Sequence, residues 1–183
     1  MIIKELSSAT MSDWFDFFDN RAFLDHEDWN GCYCTAFYYP KPKEYVNQSD
    51  RRKEYYAKWL IETGKMKGYL AYEEEKVVGW VNANEKKNYP RLDDIYNASE
   101  KVLSIVCFIV QKEYRRKGIA KKLLSRIVED AKGKGYLVIE AYPKKRSKSE
   151  FGKWNGPYEM YVKSGFSDYK IEKVNVVRKY IDS

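Results

Sequence analysis

The segment between residues 103 and 142 constrains the fold of this chain more than any other part of the sequence. It begins with an apolar run, Leu103–Val110 (LSIVCFIV), which is typical of a central strand buried on both faces. Apolar residues then recur three and four apart from Ile119 to Ala131, and this spacing predicts a helix with one buried face. A second apolar run, Tyr136–Tyr142, predicts another buried strand. Since a helix that joins two such strands forms a right-handed parallel crossover, the segment predicts a β-α-β unit.

The flanking segments predict a mixed sheet around this unit. The aromatic segment Trp29–Tyr39 lacks a clear period and is predicted to be an irregular loop. The fold class is α/β of the α+β type, with a mixed central sheet of six to seven strands flanked by about four helices. The other predicted elements are a strand over Ile2–Leu6, a helix carrying Trp14, Phe17 and Phe18, a helix over Ser49–Thr63, a hairpin of Tyr69–Glu73 and Lys76–Ala83, a short helix over Tyr158–Ser164, and strands over Phe166–Lys173 and Asn175–Ile181.

The length and composition predict one globular domain over residues 1–183. The chain has 183 residues, of which 44% are hydrophobic, so it can bury a core without disulfide bonds. Neither an apolar run long enough to cross a membrane nor a signal-like N-terminus is found, which predicts no membrane partner. Three cysteines without metal-site spacing predict reduced thiols, a cytoplasmic location and no metal.

The formal net charge of +7 has two interpretations. It is compatible with affinity for an anion such as nucleic acid, acidic lipid or a phosphorylated small molecule. It is equally compatible with an ordinary lysine-rich surface. Position along the chain must decide between the two.

The basic stretch Gln111–Leu124 (QKEYRRKGIAKKLL) lies where the buried strand turns into the helix. Such a turn presents free backbone N–H groups in one direction, and the helix dipole adds positive potential there. Gly118 permits a positive φ or a close approach of a ligand, and Ala120 is too small to block it. Arg115, Arg116, Lys117 and Lys121 would add charge to these amides. The turn therefore predicts a phosphate site, with a solvated basic helix start as the alternative.

Other phosphate-binding loops do not fit this sequence. No G-x-G-x-x-G follows a strand, and no G-x-x-x-x-G-K-S/T is found. Dinucleotide and P-loop nucleotide sites are therefore excluded.

These residues resemble the Gcn5-related N-acetyltransferase (GNAT) superfamily. Its signature Q/R-x-x-G-x-G/A is matched by Arg115, Gly118 and Ala120, and the order of predicted elements is similar over nearly the whole chain. A second motif, Met160–Phe166 (MYVKSGF), is similar to the end of the family's last helix. The segments GCYC, VGW, CFIV and EAYP look like a bacterial branch of mostly undefined substrate.

The resemblance implies acetyl-CoA as the acetyl donor. Its pyrophosphate would lie on Arg116–Lys121, after Arg115 of the motif. The pantetheine arm would pair with the backbone of Phe108, Ile109 and Val110, where the fourth and fifth strands separate. A backbone N–H near Ile109 or Val110 would polarise the thioester carbonyl. The expected donor site is therefore made of Phe108, Ile109, Val110, Arg115, Arg116, Lys117, Gly118, Ile119, Ala120 and Lys121.

The resemblance also implies two catalytic candidates. Tyr161 is the expected general acid for the departing thiolate; the alternative is a core tyrosine whose hydroxyl is bonded elsewhere. Glu140, among apolar neighbours, is a candidate general base. The alternatives for Glu140 are pairing with a nearby Lys or Tyr, with water acting as the base. Many family members carry an Asn seven residues before the tyrosine; Trp154 holds that position here and Asn155 is one residue away.

Other polar and aromatic residues have less specific interpretations. Cys107 is expected to fill apolar space rather than act as a nucleophile, because no histidine lies near it in the sequence. The chain has one histidine, His26, which is expected at the surface. Cys32 and Cys34, with nearby aromatic residues, either shape an acceptor pocket or pack in the core. Lys144–Ser149 is expected to be a solvated loop; the alternative is that it borders the acceptor channel.

The resulting hypothesis is an N-acetyltransferase that transfers acetyl from acetyl-CoA to a primary amine by direct attack. The acceptor would be a small-molecule or peptide amine, neutral or acidic rather than a polyamine, because the chain is positively charged. The resemblance is compatible with a homodimer. The alternatives are a non-catalytic acetyl-CoA-binding regulator and a nucleic-acid-binding module; no recognition helix or single-strand motif supports the latter, so no nucleic acid is expected.

Overall fold

The computed structural model describes residues 1–93, 101–145, 154–169 and 174–181. Within these ranges it contains seven strands and five α-helices. In chain order they are β1 (Ile2–Glu5), α1 (Met11–Asn20), α2 (Pro42–Val46), α3 (Asp50–Glu62), β2 (Gly68–Glu73), β3 (Lys76–Glu85), β4 (Val102–Val110), α4 (Ile119–Gly133), β5 (Val138–Ala141), α5 (Tyr158–Lys163), β6 (Ser167–Tyr169) and β7 (Val176–Tyr180).

The seven strands form one mixed sheet in the order β1-β2-β3-β4-β5-β7-β6. β4 and β5 run parallel, and the other neighbouring pairs are antiparallel. Because α4 connects the two parallel strands, the predicted β-α-β unit and the predicted fold class are confirmed.

Helices cover both faces of the sheet. On one face α1 and α3 bury Trp14, Phe17 and Leu60. On the other face α4 and α5 pack. The predicted apolar stripe of α4 is buried at Ile119, Leu123, Leu124, Ile127 and Ala131 and half-buried at Val128. The periodicity read from the sequence therefore identified the buried face of α4 correctly.

Strand β4 is irregular where it separates from β5. In the ladder with β3, Asn82 pairs with Cys107 and Ala83 pairs with Ile105, so Val106 is an extra residue in β4. A bulge of this kind bends a strand and increases its twist. The pairing of β4 with β5 extends only from Val102 to Ile105, and the rest of β4 continues without β5 beside it.

Several element boundaries differ from the predicted ones. Helix α3 begins after Ser49, whose hydroxyl accepts a hydrogen bond from the Arg52 N–H, close to the predicted start. Helix α2 was not predicted, since it is only five residues long and begins at Pro42. The predicted loop Trp29–Tyr39 contains a 3₁₀ turn, Ala36–Tyr38. Residues 170–173 of the predicted strand Phe166–Lys173 lie outside the described residues.

Among the described helices, none is long and apolar enough to cross a membrane.

Candidate functional site

The turn between β4 and α4 places two residues in the left-handed region of φ and ψ. Arg116 has φ 62° and Gly118 has φ 80°. A Cβ added to Gly118 would meet no atom within 4 Å, so the glycine is needed for its backbone conformation and not for space. The open space above Gly118 leaves the backbone of this turn accessible.

The second half of this turn and the start of α4 carry backbone N–H groups that have no acceptor among the described residues. Within the described ranges, no acceptor is found for the amides of residues 116–121, and the first bond of α4 runs from the Lys122 N–H to the Gly118 carbonyl. These amides lie at the positive end of the dipole of α4, a helix of 15 residues. Alternating left-handed and right-handed backbone makes a concave group of N–H donors that suits an anion. The predicted phosphate site therefore has the geometry that such a site needs.

The basic side chains of the turn differ in their surroundings. Arg116 and Lys121 are exposed, and Lys117 lies over the ring of Tyr114 at 5.0 Å. Arg115 is held by other groups: its Nε donates to the Val110 carbonyl at 2.9 Å, and both terminal nitrogens donate to the Asp25 carboxylate. Its charge is thus largely compensated inside the protein.

Alternation along β4 decides which backbone groups face the gap beside β5. The Gln111 N–H donates to the Val78 carbonyl of β3 at 3.0 Å. Because hydrogen-bonded positions alternate in an antiparallel ladder, Ile109 also bonds toward β3, whereas Phe108 and Val110 face the gap. Of the three residues expected to meet the pantetheine arm, two therefore present their polar backbone groups to the gap.

The gap is partly filled by residues 154–156. The Trp154 carbonyl accepts a hydrogen bond from the Phe108 N–H at 2.6 Å, and Asn155 Nδ2 donates to the Val106 carbonyl at 3.0 Å. Among the described residues, no partner is found for the Phe108 carbonyl or the Val110 N–H. One donor and one acceptor of β4 are therefore open to a ligand.

Tyr161 lies on α5 beneath this segment. Its side chain is fully buried, its ring packs edge-on against Phe108 at 6.3 Å, and its hydroxyl donates to the Asn155 carbonyl at 2.6 Å. Burial raises the pKa of the phenol well above its usual value, so Tyr161 is protonated at neutral pH. The structure places Tyr161 beside β4, and it also shows the bonded hydroxyl that the sequence left as an alternative.

Glu140 belongs to a polar row that crosses the sheet. Asn84, Ser104, Glu140 and Arg178 pair in register on β3, β4, β5 and β7. Glu140 is fully buried, and its carboxylate accepts hydrogen bonds from Arg178 Nε (2.6 Å), Lys86 Nζ (3.3 Å) and the Tyr142 hydroxyl (3.0 Å). The paired environment that the sequence left open for Glu140 is therefore observed.

The cysteines lie on the other side of β4. Cys107 pairs with Asn82 in the ladder, and Asn82 Nδ2 donates to the Cys34 carbonyl at 3.1 Å. The Cys34 thiol and burial together raise the pKa of Cys107 well above its usual value, and burial raises the pKa of Cys32 to about 11. Cys34 is buried in the core and Cys32 is half-buried.

Aromatic side chains near these cysteines pack against one another. Tyr38 is buried and donates its hydroxyl to Asn82, while Phe37 packs between Tyr89 and Trp154 at about 6 Å. His26, expected at the surface, is half-buried and stacks on Trp29 at 4.6 Å. Most of the expected loop Lys144–Ser149 lies outside the described residues.

Three residues of this region carry contacts that the sequence did not indicate. Asp25 binds Arg115, Asn155 links β4 to Tyr161, and Arg178 binds Glu140. Asn155 had a partial signal, since it is one residue from the position that the resemblance marks. Asp25 and Arg178 had none, because their partners are 90 and 38 residues away.

Comparison with known proteins identifies the family. The sequence profile of the acetyltransferase (GNAT) family matches residues 5–149. The chain belongs to the GNAT acetyltransferase family. This membership confirms the resemblance and the predicted enzyme class, an acyltransferase. No curated protein sequence matches the chain significantly.

Solved structures show the same fold at low sequence identity. An N-acetyltransferase from Staphylococcus aureus Mu50 is 16% identical with TM-score 0.57, covering 99% of this chain and 98% of its own. An acetyltransferase of the GNAT family from Streptococcus pneumoniae is 18% identical with TM-score 0.54, covering 99% of each chain. The PaiA N-acetyltransferase from Thermoplasma acidophilum, in complex with coenzyme A, is 15% identical with TM-score 0.50, covering 98% of this chain and 99% of its own.

Proposed function

We propose that this GNAT protein is a single-domain N-acetyltransferase that transfers the acetyl group of acetyl-CoA to a primary amine. The observation that carries the proposal is the continuity of two free sets of backbone groups. The amides of residues 116–121 open at the start of α4, and the Phe108 carbonyl and Val110 N–H open on the adjoining edge of β4.

These groups match the chemistry of the donor. The free amides of residues 116–121 suit a pyrophosphate, and the exposed Arg116 and Lys121 add positive charge around it. The Phe108 carbonyl suits an amide N–H of pantetheine, and the Val110 N–H suits a carbonyl of the acylated arm, either an amide or the thioester. Acetyl-CoA, when bound, supplies an acetyl group activated as a thioester.

The chain's own residues account for the electrostatic part of the reaction. The sequence points to an amide near Ile109 or Val110 as the group that polarises the acyl carbonyl. Of these two amides, the strand register directs that of Val110 toward the gap. The Phe108 N–H beside it becomes a second donor if the Trp154 carbonyl moves away. Both donors are backbone groups of β4, and only the Phe108 N–H requires the Trp154 carbonyl to move.

Proton transfer is assigned to Tyr161 and to the Glu140 region. Tyr161 is the proposed proton donor to the departing thiolate, since burial keeps its phenol protonated. To act, the Tyr161 hydroxyl must break its hydrogen bond to the Asn155 carbonyl and donate to the sulfur instead. The proton of the amine would leave through water or through Glu140, which is linked to Ser104 by the Tyr142 hydroxyl.

The decisive test is thermal unfolding with and without acetyl-CoA in wild type and in Gly118→Trp. Ligand at about a hundred times its Kd adds about 2.7 kcal/mol to the free energy of unfolding, which is a shift of several degrees. We expect the shift in wild type and its loss in Gly118→Trp, whose indole would lie above the free amides.

Gly64→Trp is the matched control, because Gly64 also has a positive φ (66°) and no atom within 4 Å of an added Cβ. It carries the same backbone strain at the end of α3 and should keep the ligand shift. Equal shifts in wild type and Gly118→Trp would rule out the turn as the donor site.

A second candidate function is an acetyl-CoA-binding regulator without chemistry. It is favoured by the bonding of both catalytic candidates, since the Tyr161 hydroxyl and the Glu140 carboxylate are buried and occupied by protein partners. Release of free thiol from acetyl-CoA in a panel of primary amines separates the two functions. Thermal stabilisation without thiol release on any amine would favour the regulator.

A further inference from the structure

Asp25 forms a contact with the donor site that the proposed function does not use. It lies between α1 and the 3₁₀ turn Glu27–Trp29, 90 residues before Arg115 in the sequence. Its two carboxylate oxygens accept hydrogen bonds from the two terminal nitrogens of Arg115. This bidentate geometry is the strongest form of the Arg–carboxylate pair.

The pair is partly sheltered from solvent. The Asp25 side chain is 14% exposed and the Arg115 side chain is 35% exposed. The Arg115 guanidinium lowers the pKa of Asp25, so the carboxylate is charged at neutral pH. The positive charge of Arg115, the first residue of the signature motif, is therefore balanced within the protein.

The turn that Arg115 belongs to has few bonds of its own. Its internal backbone bonds are those of Tyr114 to Gln111 and of Arg115 to Lys112, and Arg116 is held in a left-handed conformation. A non-glycine residue with positive φ costs about 1 kcal/mol or more and persists only where its surroundings impose it. The bond from Arg115 Nε to the Val110 carbonyl closes the turn from inside, and Asp25 fixes the guanidinium that makes this bond.

We propose that Asp25 is a positioning residue for the donor site: by orienting Arg115, it holds the turn in the conformation that presents its amides to the pyrophosphate. The proposal rests on the proposed function. Arg115 then acts as a brace of the turn, and the phosphate is bound by the backbone and by the exposed Arg116 and Lys121.

The opposite hypothesis makes a prediction of the opposite sign. If Arg115 bound the phosphates directly, Asp25 would compete for its guanidinium and its negative charge would repel the ligand. Removing that charge would then strengthen CoA binding. If Asp25 positions the turn, removing its charge weakens CoA binding.

The experiment measures the Kd of CoA by isothermal titration calorimetry in wild type, Asp25→Asn and Arg115→Gln. We expect about tenfold weaker binding in each variant, since a bidentate charge-assisted pair is lost. The double variant should bind CoA no more weakly than Arg115→Gln alone, because Asp25 acts only through Arg115.

The matched control is Asp130→Asn. The Asp130 carboxylate also accepts two hydrogen bonds from an arginine, here both from Arg126 Nε, with side-chain exposures of 36% for Arg126 and 20% for Asp130. This pair lies in the second half of α4, away from the turn. CoA binding by Asp130→Asn should stay within about twofold of wild type. The probe control is S-acetylpantetheine, which lacks phosphates. Its binding, followed by NMR titration, should change by less than about twofold in Asp25→Asn, because the gap beside β4 is intact.

Each outcome decides the proposal. Unchanged or tighter CoA binding in folded Asp25→Asn overturns it, as does an equal loss for CoA and S-acetylpantetheine. If Asp25→Asn does not fold, Arg115→Lys, which keeps the charge but loses the bidentate pair, takes its place and should weaken CoA binding selectively. A wild-type protein that binds neither probe overturns the proposed function, and this proposal with it.

Discussion

The two ends of β4 differ in how far their polar groups are hydrogen-bonded within the protein. At its start, Ser104 lies in a row in which Glu140 alone accepts three hydrogen bonds and is fully buried. At its end, the Phe108 carbonyl and the Val110 N–H have no partner among the described residues, and neither do the amides of residues 116–121 in the turn that follows. Buried polar groups that are fully bonded hold a fold in one arrangement, whereas free backbone donors at a surface are available for a ligand.

The comparison separates stability from binding. We call the polar row at the start of β4, with Ser104, Glu140 and Arg178, the saturated end, and the turn and the free groups at the end of β4 the open end. Substitutions at the saturated end should change the free energy of unfolding, because a buried charge loses an opposing charge. Substitutions at the open end should change ligand binding or turnover with smaller effects on unfolding. The predictions below test this division, from the largest expected effect to the smallest.

Glu140→Gln should produce the largest loss of stability. It leaves the buried Lys86 and Arg178 with less opposing charge, although glutamine keeps the shape of the side chain. Breaking a buried ion pair from one side costs about 3–5 kcal/mol. Urea unfolding followed by circular dichroism measures the change.

The control for Glu140→Gln is Asp168→Asn, which removes an exposed pair with Lys145. That pair should contribute about 0.2–1 kcal/mol. If the two variants lost similar stability, the row at Glu140 would not be the stabilising end of β4 that its burial indicates.

Tyr161→Phe tests a residue with features of both ends: its side chain is fully buried, but it packs against Phe108 at the open end of β4. As the proton donor to the thiolate, Tyr161 should contribute about 10²-fold to turnover, since general acid catalysis is typically of that size. The loss of one hydrogen bond to the Asn155 carbonyl should cost only about 1 kcal/mol of stability. Turnover on an amine substrate and urea unfolding are the two measurements.

The control variant is Tyr158→Phe. Tyr158 lies on the same helix as Tyr161, and its exposed hydroxyl donates a hydrogen bond to Asp168 of β6 that this substitution removes. It should leave turnover unchanged. Equal turnover in wild type and Tyr161→Phe would remove Tyr161 from the reaction and leave it as a core residue with a bonded hydroxyl.

The same division explains what the sequence could and could not predict. The open end was predictable because its signals are local: an apolar run, a glycine at a left-handed position and a helical period follow one another within about thirty residues. The resulting turn, with Gly118 at φ 80° and free amides, is the one that the structure shows.

The saturated end was predictable only in kind. Pairing of Glu140 with a Lys or Tyr was one of the alternatives from the sequence, but the partners themselves, Arg178 among them, depend on register. Glu140 meets Arg178 only since β5 pairs with β7 at that residue, and a shift of one residue would place the two side chains on different partners. Asp25 depends in the same way on where the chain after α1 passes the turn at Arg115. Such contacts between distant segments have no periodic signal in the sequence.

The smallest expected effect is a change in the free energy of unfolding at acid pH, and it comes from the Asp25–Arg115 ion pair at the open end. Arg115 lowers the pKa of Asp25 below its ordinary value of 3.8 in the folded state. A carboxylate whose pKa is lower in the folded state than in the unfolded state stabilises the fold at pH values above the unfolded pKa. This contribution is lost as the pH falls through the folded-state pKa.

Wild type should therefore be more stable than Asp25→Asn at neutral pH, and the difference should shrink below about pH 4 and disappear at lower pH. Urea midpoints measured between neutral pH and about pH 2 follow the difference. Since Arg115 is more exposed than Arg178, the neutral-pH difference should be smaller than that of Glu140→Gln. A difference between wild type and Asp25→Asn that is constant down to pH 2 would show that asparagine disturbs the turn by a route other than the lost carboxylate charge, and the pair with Arg115 would then not be what holds the open end in place.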